Sequence, residues 1–181
     1  TPGGPSPWQN TGFALRHILR PSTYVHGDGK KFGRYIAFAG DTVVVASGNA
    51  PEVFVFCRDG EESDAPWTER AILKPYEDGT ELSTETPVGL ATDGDAVFVS
   101  TSSGNVLVYK RVRPGDAASE WTLTSRLERA VDENDFRGYV AVNKKRRGEV
   151  IVGAPRASVS GSVRTGAAYI FASDAYEAVP A

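Results

Sequence analysis

The chain has 181 residues, 40% of them apolar and 24% charged, enough for one domain with a core and unlike a disordered segment. Its net charge of −3 offers no basic surface to nucleic acid or an anionic membrane. No apolar run approaches the roughly eighteen residues of a membrane-spanning helix.

Taken in chain order, residues 1–7 read as a tail, and Trp8 to Pro21, ending in RHILRP, reads as an outer strand. A Gly-rich loop, YVHGDGKK, leads into four short runs: GRYIAFAG, DTVVVAS, EVFVFC and WTERAILKP. Their Val, Phe and Thr enrichment, and the Gly-Asp, Gly-Asn-Ala-Pro and RDGEESDAP breaks between them, predict strands rather than helices. The same order returns as VGLATDGD, DAVFVST, NVLVYKR and EWTLTSRLE, and a third time as FRGYVAVN, EVIVGAP and GAAYIFA. Residues 173–181 form a second tail. The one cysteine, Cys57, ends EVFVFC and reads as a buried, unreactive thiol.

Two landmarks fix the repeat. Leu19, Leu73 and Leu127 are 54 and 54 residues apart, and so are Gly40, Gly94 and Gly148. Four antiparallel strands in each unit of this length are the signature of a β-propeller blade, which buries its faces only against neighbouring blades. The predicted fold is therefore all-β, with an outer strand at 8–21, blades at 32–74 and 86–128, and an incomplete blade at 136–172.

The run FGRYIAFAGDTVVVASG, followed by EVFVFCRDG and PWTERAIL, resembles the FG-GAP repeat of integrin-alpha-like propellers. Phe32-Gly33 supplies the FG of the first unit. Val152-Gly153-Ala154-Pro155 supplies the GAP of the third, and Gly166 to Phe171 its aromatic third strand. The second unit departs from the pattern, with TPVG and STSSG at these places. The resemblance spans Trp8 to Phe171. It implies a non-enzymatic interaction or structural module, extracellular or at the cell surface, that binds protein. Many such repeats carry a calcium loop. Here the connections AFAGDTV and ATDGDAV hold too few carboxylates for the six to eight oxygens calcium takes, NKKRRGE is cationic, and DENDF lacks the glycine and closing Glu. No metal and no other cofactor is expected.

Three blades are fewer than the four to eight of known propellers. Either two copies form a six-bladed ring, each N-terminal strand clasping the other's last blade, or further blades come from other sequence. The chain lacks methionine and begins Thr-Pro-Gly-Gly-Pro, which favours a piece of a longer product.

Ligands are expected on the face built from the loops between strands two and three and between strand four and the next blade. Tyr24, His26, Tyr76, Arg156 and Arg164 are the residues there able to stack or donate. His26 lies two residues from Asp28, an arrangement that serves an oriented base but equally a solvated turn. The sequence lacks the G-x-S-x-G elbow of a serine nucleophile. The cluster Lys144 to Arg147 reads as a solvated hairpin tip, and Trp8, Trp67 and Trp121 as packing residues. A glycan-binding propeller using the recurring aromatics, and a propeller enzyme whose active site lies on further sequence, remain as alternatives.

Overall fold

The computed structural model describes residues 14–23, 29–62, 64–74, 76–77, 80–81, 85–127, 138–143, 149–158 and 165–172. These form three antiparallel sheets of four, four and three strands, with no helix among the described residues. The first sheet runs in order through β1 (Tyr35–Ala39), β2 (Thr42–Ala46), β3 (Val53–Arg58) and β4 (Trp67–Leu73). A small hairpin follows, β5 (Tyr76–Glu77) with β6 (Thr80–Glu81). The second sheet holds β7 (Pro87–Thr92), β8 (Ala96–Thr101), β9 (Val106–Arg111) and β10 (Trp121–Leu127). The third has β11 (Val140–Val142), β12 (Val150–Ala154) and β13 (Ala167–Phe171).

Each sheet is a plain meander because its connections are short and rich in turn formers. Ala39 pairs with Thr42, which leaves Gly40-Asp41 as a two-residue hairpin loop. Gly40 has φ +56°, a conformation a glycine adopts without steric cost. The outer strands kink at matching places. The register shifts between Val55 and Phe56 opposite β4, and between Leu123 and Ser125 opposite β9.

Strand pairing aligns the three repeats residue by residue. Val45 faces Phe54, Val99 faces Leu107, and Val152 faces Tyr169. By this alignment β12 follows β8 at a spacing of 53 rather than 54, so the third repeat is one residue shorter than its glycine landmark implies. The difference matters because neighbouring side chains in a strand point to opposite faces. An unbroken spacing of 54 would turn Ile151 and Gly153 toward the second sheet. The structure turns Val150 and Val152 there instead.

The sheets stack face to face, and the second is covered on both sides. Val97, Val99, Leu107 and Tyr109 pack with Val44, Ala46, Val53, Val55, Cys57 and Leu73 of the first sheet. Phe98, Val106 and Val108 pack with Val140, Val150, Val152 and Ala154 of the third. Burying an aliphatic or aromatic side chain of this size stabilises by about 1.5–3 kcal/mol, so these two layers dominate the stability of the stack. The sheets come closest along their first strands, β1 against β7 and β7 against β11. Gly89 permits the second approach: a Cβ there would lie 3.1 Å from the Gly138 carbonyl oxygen.

Among the described residues, the stack is open at its ends. At one repeat position Val55 is 0% exposed and Val108 4%, but Ile170 is 73% exposed. At another, Val44 is 0% and Phe98 5%, but Ile151 is 42%. Both belong to the face that would carry a further sheet. At the opposite end, Ile36 and Phe38 are exposed, while the rest of that face, Val45, Phe54 and Phe56, is roofed by Leu19 and Phe32. Phe32 meets Phe54 and Phe56 edge-on, with ring centroids 5.5 and 6.3 Å away. The expected outer strand at 8–21 is described only from residue 14, and residues 14–21 belong to no strand.

Candidate functional site

The Gly-Asp turns that open β2 and β8 each carry a carboxylate to the foot of an arginine that closes the third strand of the same sheet. Arg58 donates its backbone N–H to the Asp41 carbonyl at 3.0 Å, and Arg111 its own to the Asp95 carbonyl at 2.8 Å. The side chains follow: Arg58 Nε is 3.5 Å from Asp41 Oδ1, and Arg111 Nε 3.4 Å from Asp95 Oδ1. Each guanidinium also lies over the tryptophan that begins the outer strand, Arg58 at 5.0 Å from Trp67 and Arg111 at 4.9 Å from Trp121. An arginine held between a carboxylate and an indole face keeps its charge paired while its flat surface packs.

Arg111 does more than Arg58. It is buried, and its Nη2 reaches across to the first sheet, donating to Thr42 Oγ1 at 2.9 Å and lying 3.7 Å from Cys57 Sγ. The same nitrogen donates to the Gly94 carbonyl at 3.0 Å, which also accepts from the Thr42 hydroxyl at 3.2 Å. Asp93 accepts the N–H groups of Asp95 and Ala96 at 3.0 and 2.7 Å, and Asp95 Oδ1 accepts from Gly115 N at 2.8 Å. Asp41, Thr42, Arg58, Glu61, Asp95 and Arg111 help to line a cleft of about 270 Å³ between the first two sheets.

The cleft can accept a small polar molecule: its arginines pair with carboxylates, but Arg58 Nε and Arg111 Nε are buried without a hydrogen bond. The carboxylates accept from backbone N–H groups or face arginines, and no group of three His, Cys, Asp or Glu suited to a metal occurs among the described residues. Nearby, the Thr68 hydroxyl and the Arg70 guanidinium both donate to the Asp59 carboxylate. Those two hydrogen bonds, with the Arg70 charge, hold the Asp59 pKa below the usual carboxylate value.

This cleft lies at the end of the sheets opposite the expected ligand face. Of the residues expected to bind, Tyr24, His26 and Arg164 lie outside the described residues, as does the Lys144 to Arg147 cluster. Tyr76 is placed by its backbone in β5, paired with Glu81 of β6. Arg156 is exposed in the turn after β12. No two of the five are brought together among the described residues. The Asp-Arg-Trp corners were not singled out by sequence reasoning. Their signal was present: Asp41 and Asp95 recur 54 residues apart, and Arg58 and Arg111 recur 53 apart. The chain matches no family model, and no curated protein sequence matches it.

Proposed function

We propose that the chain is a partial β-propeller of the FG-GAP type, an interaction or structural module that works by joining protein to protein in an extracellular or surface assembly rather than by catalysis. The observation that carries this reading is the pair of open ends. Repeat positions buried in the first two sheets are exposed in the third, and apolar residues of the first sheet are exposed on the opposite side. Contiguous apolar surface of this kind marks interaction sites. The blade reading rests on four-stranded meanders stacked face to face and closest along their first strands, the way blades converge on an axis. Asp41, Asp95, Arg58 and Arg111 fit this role too, because they are engaged in holding sheet corners.

Sedimentation velocity over a wide concentration range tests the proposal. Association is expected for the native chain, and its loss in Phe38→Lys and Ile170→Lys, both at exposed positions. A native chain that stays monomeric throughout, while binding glycans through Tyr24 or Tyr76, would replace this reading with the glycan-binding one.

A further inference from the structure

Two repeat-related ion pairs share one cleft. Asp41 and Arg58 come from the first sheet, Asp95 and Arg111 from the second, and all four line the space of about 270 Å³ between the sheets. Strand pairing makes the two sets counterparts, since Thr42 faces Cys57 and Ala96 faces Lys110. The hydrogen bonds of Arg111 Nη2 to Thr42 and to the Gly94 carbonyl tie the sheets together at this point.

Neither pair is closed. Arg111 is 6% exposed, and its Nε lies 3.4 Å from Asp95 Oδ1 without a hydrogen bond. Arg58 Nε lies 3.5 Å from Asp41 Oδ1 and is likewise buried and unbonded. Buried donors in folded proteins nearly always find an acceptor, from the chain or from a bound molecule. The more open groups point the same way. The Asp41 side chain is 66% exposed, and among the described residues its carboxylate has Arg58 as its one polar partner. The Arg58 guanidinium lies over Trp67, and its Nη1 and Nη2 make no hydrogen bond among the described residues.

The lining selects its occupant by charge and by hydrogen bonding. Four carboxylates, those of Asp41, Glu61, Asp93 and Asp95, stand against two guanidiniums, so an anion meets net repulsion. A bare cation leaves the arginine donors unmet, and the described residues hold no group of three His, Cys, Asp or Glu suited to a metal. A hydroxyl accepts from a guanidinium and donates to a carboxylate at once. A small molecule carrying several hydroxyls therefore meets both pairs without upsetting their charge balance. Ala39 and Ala117 add apolar lining for its C–H faces. The cleft is smaller than the roughly 300–1,000 Å³ of pockets for drug-sized ligands, which limits the occupant to about one ring.

We propose that this cleft binds a neutral polyhydroxylated ring, a single sugar or cyclitol, through the Asp41–Arg58 and Asp95–Arg111 pairs. The site is separate from the exposed apolar faces that carry the interaction reading. It gives that module a ligand of its own and uses neither Tyr24 nor Tyr76.

Titrating the isotope-labelled chain with glucose, galactose, mannose, xylose and myo-inositol, followed by amide resonances, tests the site. At least one of them should shift Gly60, Gly94 and Gly115, which line the cleft. The dissociation constant should be on the order of 1 mM, as for a ligand of about a dozen atoms. Arg58→Ala and Asp41→Ala should each weaken that binding about tenfold, with the amide spectrum away from the cleft unchanged. Both side chains are partly exposed, so their removal leaves the fold in place. Succinate and putrescine, an anion and a cation of similar size, should leave the three glycines unshifted. No shift with any of the five polyols well above that constant overturns the proposal, and water then meets the buried donors. Binding that is equally strong in both variants, or that is stronger for succinate or putrescine, overturns it as well. Each of these failures leaves association of the chain, measured by sedimentation, to stand or fall separately.

Discussion

The second and third sheets are built from the same repeat and differ in what lies beyond them. Val108 and Ile170 occupy one position, yet Val108 is buried between sheets and Ile170 faces outward. The sequence at that position stays aliphatic whether or not anything covers it. A side chain's burial in a stacked repeat is thus decided by the neighbouring unit, not by its own strand. The arginine corners teach the same lesson from the other end. Arg111 has a sheet before it and bonds across to Thr42. Arg58 has none, and its carboxylate partner Asp41 is largely exposed.

Core truncation gives the largest contrast. Leu107→Ala, between the first two sheets, should destabilise the monomer by about 2–5 kcal/mol in urea, whereas Ile170→Ala should change it by less than about 0.5 kcal/mol. Comparable losses at both sites would mean that the third sheet is covered in the monomer. Adding bulk at the inner strands comes next. Gly89→Val should cost about 1–3 kcal/mol by overpacking, because its Cβ would crowd both the Gly138 carbonyl and the Ser100 hydroxyl.

The two arginines sharpen the comparison further. Arg111→Ala removes the donor to Thr42 Oγ1 and one of the two donors to the Gly94 carbonyl, a loss of about 1–3 kcal/mol. Arg58→Ala removes a partly solvated pair and should cost under about 1 kcal/mol. Equal costs from denaturant midpoints would contradict the bridging role of Arg111. The smallest effect is at Asp59. Its carboxyl titrates below the ordinary value of about 3.9, through hydrogen bonds from Thr68 and Arg70. Folding lowers this pKa, so the stability it adds is complete above the unfolded value and fades as pH falls through the folded one. Its carboxyl resonance should shift at a higher pH in Thr68→Val and in Arg70→Ala; an unchanged midpoint would remove both residues as the cause.

Much of the strand order was legible in the sequence. β-Branched runs such as DTVVVAS and NVLVYKR, broken by Gly-Asp and polar loops, carry their own length and punctuation; nine of the eleven strands of the three sheets fall within the runs read from it, and β3 and β7 overrun theirs by one residue each, Arg58 and Pro87. The facing of the third sheet was not legible. The Gly148 landmark keeps a spacing of 54 while the strand behind it slips by one, and only pairing with β11 and β13 reveals which alternate set is inward. The Asp-Arg-Trp corners were hidden for a related reason. Their members come from a turn and two different strands, and a single residue recurring at 53 or 54 carries no sign that it meets the others. The expected binding loops follow from analogy with propeller faces, whereas the polar cleft forms at the opposite end, where hairpin turns bring the charges together.

Amide hydrogen exchange, strand by strand on the dilute chain and again at high concentration, tests the central claim most directly. The account predicts slow exchange in β8 and β9 at every concentration, and exchange in β13, whose Ile170 is exposed, that slows as copies associate. Exchange in β13 that is the same at every concentration would contradict it, since the exposed face of the third sheet would then take no partner.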